Sequence, residues 1–203
     1  IDLVLDSQMA KMRKFNQKRV NYYLNGDPNI QVQSYPAQGI KNHRNTKKIN
    51  LGSGSGGANI DLTTADMTAL FAFFGKGAFG TLARANKVAQ YDVMWVSPEI
   101  WANLAQPYVV NGVVSGNVLN AVLPFAPVRE IRPTFALSGN EFIAYVRRQD
   151  IISPLVGMAV GVVPLPRPLP NVNYNFQIMS AEGLQITADD QGLSGVVYGA
   201  NLV

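Results

Sequence analysis

Glycine-rich runs are the first places where this sequence could hold a phosphate. Gly75-Lys76-Gly77-Ala78-Phe79-Gly80 satisfies the G-x-G-x-x-G spacing of a dinucleotide-binding turn. In such a site the glycines follow a strand and open a helix, so that the pyrophosphate rests on the helix N-terminus. This run follows a helical pattern with no βαβ unit around it, and reads as a helix stop and a turn. The run Gly52-Ser53-Gly54-Ser55-Gly56-Gly57 lacks the Gly-Lys-Ser/Thr ending of a phosphate loop. Asp189-Asp190 is the only adjacent pair of acids. A hard cation needs more converging oxygens than this, and Asp-Asp-Gln-Gly reads first as turn chemistry.

Nucleophilic and redox chemistry have little to work with. Cysteine is absent and His43 is the one histidine, which excludes disulfides, thiolate nucleophiles and multi-histidine metal sites. His43 stands among Asn, Arg and Lys with no fixed carboxylate near it in sequence. A Ser-His-Asp triad would have to use that ring, and no nucleophile-elbow sequence exists. The expectation is a protein that is not an enzyme, with no catalytic residue, cofactor or metal.

Composition points to association. Of 203 residues, 47% are hydrophobic and only 15% charged, against roughly 25% charged in an ordinary soluble domain. A chain with so little charge is apolar inside and out, or covers much of its outside with partners. It is too apolar to be disordered. No stretch approaches the roughly 20 uninterrupted apolar residues of a membrane-spanning helix, so no membrane partner is expected. Residues 1–52 hold nine basic groups against three acids, a net of +6, which leaves −2 for the remainder of a chain whose total is +4. A basic lead-in fits a partner rich in phosphate, an acidic neighbouring subunit, or a solvated helix face and loop.

The elements that would position these groups are mixed. Residues 5–24 read as one amphipathic helix, roughly 30 Å long, with Leu5, Met9, Met12, Val20, Tyr23 and Leu24 on one stripe. Lys11, Lys14 and Lys18 line its other side, and Gly26 and Pro28 end it. Residues 27–61 are polar and glycine-rich, and read as a mobile loop between two lobes. Thr63 and Asp66 form a capping-box pattern ahead of a helix carrying Met67, Leu70, Phe71 and Phe74, which Gly75 stops. Residues 91–96 read as a strand, and Ser97-Pro98-Glu99 starts a helix whose apolar side is Ile100, Trp101 and Leu104. A short helical piece over 117–123 stops at Pro124, and strands follow near 128–131 and 142–147.

Trp95, Trp101 and Tyr108 fit either interface anchors or core packing, and both readings stay open. Residues 156–163 are small and apolar, and Pro164, Pro166, Pro168 and Pro170 then favour an extended polyproline-like crossing. Tyr174, Phe176 and Ile178 alternate with polar neighbours, Ala181-Glu182-Gly183 turns the chain, and Leu184 and Ile186 resume the pattern of a β-hairpin. The tail over 192–203 is glycine-rich and has no helix signal. The fold class is α+β, without a regular βαβ series.

This order, with its particular residues, resembles a known family. Tyr22-Tyr23-Leu24-Asn25-Gly26 at the end of the first helix, the helix over 61–74, the corner Val93-Met94-Trp95-Val96-Ser97-Pro98 and the closing β-hairpin are similar to the C-terminal two-thirds of tailed-bacteriophage major capsid proteins. Encapsulin shells share that fold. The resemblance implies a long spine helix, a peripheral lobe from residues 1–61 and 151–203, and an axial lobe from residues 62–150 inserted between them. The family's N-terminal arm and extended β-hairpin precede the spine helix. This sequence opens inside that helix and shows neither, as expected of a piece of a longer chain that folds without assembling by itself.

The function implied is structural. Copies would form pentamers and hexamers of the icosahedral head shell of a phage or prophage, in the virion, assembled in the host bacterial cytoplasm. They would enclose double-stranded DNA through non-specific electrostatics, with Lys11, Lys14 and Lys18 facing the lumen and Trp95, Trp101 and Tyr108 at subunit interfaces. Scaffolding and portal proteins are further partners. An encapsulin-like compartment subunit is the alternative, and a nucleic-acid-binding module or an enzyme comes third.

Overall fold

The computed structural model describes residues 3–110, 112–166, 169 and 175–202. The chain forms two compact units, one from Ile1–Asn42 and Pro154–Gln185, the other from His43–Ser153 and Ile186–Val203.

The first unit opens with helix α1, Leu3–Asn25. It contains no Gly or Pro and is rich in Lys, Gln, Met and Arg, all good helix formers. Gly26 stops it at a φ of 71°, a conformation that suits glycine. The exposed carbonyls of the last turn are satisfied by the returning chain: Ile40 N donates to Tyr23 O at 2.8 Å and Lys41 N to Leu24 O at 2.9 Å. Between these points lie strands β1, Gly26–Val32, and β2, Tyr35–Gln38, paired antiparallel with Val32 opposite Tyr35.

The turn joining β1 and β2 is built from the wrong residues for its geometry. Gln33 and Ser34 both have positive φ, 49° and 71°, where hairpins prefer Asn-Gly. Replacing them by that pair (Gln33→Asn with Ser34→Gly) is expected to raise stability by about 1 kcal/mol. The gain would be read as a higher urea midpoint.

Long strands close this unit. β9, Ile152–Pro164, and β10, Phe176–Ile186, pair as a two-stranded ribbon. The turn expected at residues 181–183 is absent, because β10 runs straight through them. The reversal lies instead between β9 and β10, where Leu165 N donates to Asn175 O at 2.9 Å. Pro164 closes β9; Pro168, Pro170 and Tyr174 lie outside the described residues.

The second unit is built on a five-stranded sheet of order β3-β11-β8-β4-β7. These strands are β3, Lys47–Asn50; β4, Val93–Val96; β7, Ile131–Pro133; β8, Phe142–Tyr145; and β11, Val196–Ala200. β8 runs antiparallel to its neighbours β11 and β4, while β3 and β7 add parallel at the two edges. The glycine-rich tail thus supplies a strand next to the sheet centre, all five residues of which are buried. The polar segment 27–61, expected as a loop, holds β1, β2 and β3. Residues 43–61 and 186–203, which include β3 and β11, belong to this second unit.

Gly199 shows why that strand tolerates glycine. It lies opposite Phe142, and a Cβ there would overlap the Phe142 ring. Gly199→Ala is therefore an overpacking change, expected to cost about 1–3 kcal/mol, visible as a lowered thermal midpoint.

Helices cover this sheet. α2, Met67–Gly75, is capped by Asp66, whose Oδ1 accepts from Ala69 N at 2.8 Å. Thr63, expected as the cap, is instead held in a turn by Asp61, whose Oδ1 accepts from its N at 3.0 Å and its Oγ1 at 2.7 Å. α3, Ala78–Ala85, follows directly, where the sequence pattern predicts only a turn. Two glycines allow the junction: a Cβ on Gly77, between the helices, would run into Ala72 O, and one on Gly80, in the first turn of α3, into the carbonyls of Gly75 and Phe74. α4, Pro98–Leu104, has Ser97 as its cap, with Oγ accepting from Ile100 N at 3.2 Å. α5, Val118–Val122, is capped by Asn117 and follows the hairpin of β5, Pro107–Val110, and β6, Val113–Asn117.

The run over 52–57 is a pinned turn rather than a free linker. Asn50 Oδ1 accepts from Gly52 N at 2.9 Å and Leu202 N at 3.0 Å, and Gly57 N donates to Gly54 O at 2.8 Å. No helix among the described residues is long and apolar enough to cross a membrane.

Candidate functional site

The groups capable of chemistry are dispersed or occupied. Among the described residues no three His, Cys, Asp or Glu side chains gather as a metal would require. His43 is half-buried, and burial, then the charge of Arg44, lowers its pKa, so the ring is neutral at pH 7. Its Nδ1 accepts from Asn45 N at 3.1 Å. Asp189 serves a turn, its Oδ1 accepting from Gln191 N at 3.0 Å and Leu193 N at 2.7 Å.

Surfaces are what the fold builds. On α1, Lys11, Arg13, Lys14 and Lys18 are all exposed. At 1.5 Å per residue, successive lysines stand roughly 4.5 and 6 Å apart along the axis, a cationic strip. The same helix turns Arg19, Tyr22 and Tyr23 toward β10. There Glu182, with a side chain only 4% exposed, accepts from Arg19 Nε at 2.5 Å and from the Tyr23 hydroxyl. Tyr22 donates to the Glu182 backbone carbonyl at 3.0 Å, and the Arg19 guanidinium lies 5.7 Å from the centre of the Tyr23 ring. Burial alone would raise the Glu182 pKa; the Tyr23 and Arg19 hydrogen bonds outweigh it and hold the carboxyl below its ordinary value.

The β9–β10 ribbon carries the opposite character. Leu155, Val156, Met158, Val162 and Val163 are exposed on it. Its one charged residue, Glu182, is spent on α1. Nothing charged on this ribbon guards against association. In the second unit the β5–β6 hairpin exposes Val109, Val110, Val113 and Val114.

The aromatics singled out from sequence occupy three settings. Trp95, on β4, is half-buried and donates from Nε1 to the Tyr145 hydroxyl at 3.2 Å. Trp101, on α4, packs against the core. Tyr108, on β5, is half-buried. None of the three is as exposed as Phe135, Phe125 or Tyr35, which sequence reasoning passed over. Glu182, a turn residue by its sequence setting, lies within β10. The available signal was a run of apolar residues with no compensating charge, as in 155–165.

A long helix with a two-stranded ribbon, and a mixed five-stranded sheet covered by short helices, make up an α+β architecture found in viral shells. The capsid of Myoviridae phage XM1 aligns with a TM-score of 0.67 and 13% sequence identity, over 98% of this chain and 66% of that one. A virus-like particle from Pyrococcus furiosus aligns with a TM-score of 0.51 and 16% identity, over 79% of this chain and 58% of that one. This chain therefore has the fold of the tailed-phage major capsid protein, and its alignments span two-thirds or less of those longer chains. By sequence it belongs to a family of unknown function (DUF6260), matched over residues 1–199. No curated protein matches it by sequence.

Proposed function

We propose that the protein is a shell subunit, copies of which assemble into the icosahedral head of a tailed phage or prophage and enclose double-stranded DNA. The observation that carries this reading is the capsid-type fold over 98% of the chain. The low charge and the exposed apolar residues of the ribbon and hairpin support it, because each offers surface that association would cover. The unit holding α1 and the ribbon acts as the peripheral lobe and the sheet unit as the axial lobe of pentamers and hexamers. Lys11, Lys14 and Lys18 face the packaged DNA, where screened attraction to phosphate offsets its charge. Trp95, Trp101 and Tyr108 lie at or behind subunit contacts. Scaffolding and portal proteins complete the partner set, and the role is structural rather than enzymatic.

Electron microscopy of the purified full-length protein tests this directly. Closed, regular shells are expected; a particle-free, monodisperse monomer at every concentration and salt condition would sink the reading. An encapsulin-like compartment is the second reading, supported by the likeness to the Pyrococcus furiosus particle. Shells filled with a protein cargo and free of DNA would favour it.

A further inference from the structure

We propose that the outer edge of β9 pairs antiparallel with β9 of a second copy about a two-fold axis at Ala159, joining two ribbons into one larger sheet. The pairing stands apart from the shell reading and holds in any assembly of this chain.

Within the chain this edge has no strand to pair with. Among the described residues β9 pairs with β10 alone. β10 in turn is engaged by α1, through Glu182 with Arg19, Tyr22 and Tyr23. From Leu155 to Val163 the strand carries neither charge nor proline, and Leu155, Val156, Met158, Val162 and Val163 are exposed. Natural proteins guard a free edge with lysine or proline, and a two-stranded ribbon is marginal in water until further strands join it. An edge without those guards is built to be covered.

The order of residues along the edge identifies the cover. Pro154-Leu155-Val156-Gly157-Met158-Ala159-Val160-Gly161-Val162-Val163-Pro164 is close to a palindrome centred on Ala159. In antiparallel pairing about that centre, Val156 opposes Val162 of the second copy, Gly157 opposes Gly161, Met158 opposes Val160, and Ala159 opposes itself. Opposed residues share a face of the sheet, so the contacts across the seam on both faces are uncharged. Pro154 and Pro164 oppose each other just outside the paired window and, lacking N–H groups, end it on both sides. A two-fold contact requires self-complementarity of this kind, and a strand from an unrelated protein does not.

The two glycines give an independent reason. Glycine weakens a strand interior and often marks the close approach of another backbone. Neither Gly157 nor Gly161 has the positive φ that calls for glycine. Packing within the described residues does not call for it either. A Cβ on Gly157 would come no nearer than 3.6 Å, to Ala181 O, and one on Gly161 no nearer than 4.0 Å, to Ala159 O. A second copy supplies the missing reason: the glycines face each other at two places, symmetrically about Ala159, where the two main chains can draw together.

The chain has no cysteine, so one introduced thiol reports one distance. Position 159 opposes itself across the axis with Cα atoms about 4.5 or 5.5 Å apart, within the span of a disulfide. Position 156 lies about 20 Å from its own counterpart, beyond that span. On oxidation of the full chain, Ala159→Cys is expected to give a reducible covalent dimer, and Val156→Cys only the monomer band. Val156→Cys combined with Val162→Cys is expected to restore the dimer. In sedimentation, Ala159→Lys and Ala159→Glu should each weaken self-association severalfold by setting like charges opposite each other, and mixing the two variants should recover it. No dimer from Ala159→Cys, or one formed as readily by Val156→Cys, overturns the pairing. Protection of the 155–163 amides from hydrogen exchange in a chain that stays monomeric would also overturn it, because the edge is then covered from within. Closed shells that resist cross-linking at position 159 would refute the pairing and leave the shell reading standing.

Discussion

Phe79→Ala is expected to cost about 4 kcal/mol. The Phe79 ring is fully buried and central. It stacks on Phe73 at 6.0 Å, meets Phe74 edge-on at 5.7 Å, and lies 5.4 Å from Tyr91 and 5.6 Å from Phe142. It therefore ties α3 to α2 and both to the sheet. Against a total stability of roughly 5–15 kcal/mol, that loss would leave the sheet unit marginal or unfolded. Tyr91→Phe is the informative contrast. The Tyr91 hydroxyl is buried near Asn86 without forming a well-aligned hydrogen bond, and burial, only partly offset by Asn86, pushes its pKa up to about 12. Removing it should be neutral or stabilising. Urea midpoints for the two variants check both statements, and an unchanged midpoint for Phe79→Ala would contradict the packing account.

Glu182→Ala is the second, expected to destabilise the α1–ribbon unit by about 2 kcal/mol. Exposed ion pairs are worth roughly 0–1 kcal/mol, whereas a buried carboxylate with charge-assisted bonds contributes roughly 1.5–3. Arg19 is 38% exposed, so water screens its share and more of the weight falls on Tyr23. The pH dependence follows from the lowered pKa of Glu182. A carboxyl depressed in the folded state stabilises fully above its ordinary value of 4.5 and loses that contribution as pH falls through the lower folded value. Wild-type stability should therefore drop below about pH 4.5 by an increment that Glu182→Gln lacks. Hydrogen exchange in α1 would report it locally, and identical acid profiles for the two proteins would refute the assignment.

Much of the helical framework was legible because its determinants are local. Ser97-Pro98-Glu99 caps α4 as its residue types require, and Asn117 caps α5 by the same chemistry. α1 reads as a helix because 23 residues pass without a breaker. Where two caps competed within a few residues, as with Thr63 and Asp66, the choice went to the side chain nearer the first buried turn. α3 was missed because eight residues do not make a stable helix alone; this one exists because Phe79 and Ala83 are buried.

What the sequence determined by itself was the α+β class, the start of α4 at Ser97-Pro98-Glu99, and the apolar excess of the chain. These depend on neighbours within a turn or on composition, and no distant residue can alter them. The tertiary structure alone decided that 196–200 is a buried strand, because Phe142 covers Gly199 and two strands flank it. It also made Glu182 a buried anchor rather than a turn residue, since its partners Arg19 and Tyr23 arrive from about 160 residues away. Exposure follows the same rule: nothing local separates Phe135 in water from Phe142 in the core. Burial belongs to the arrangement of the whole chain, and is set only when the sheet closes.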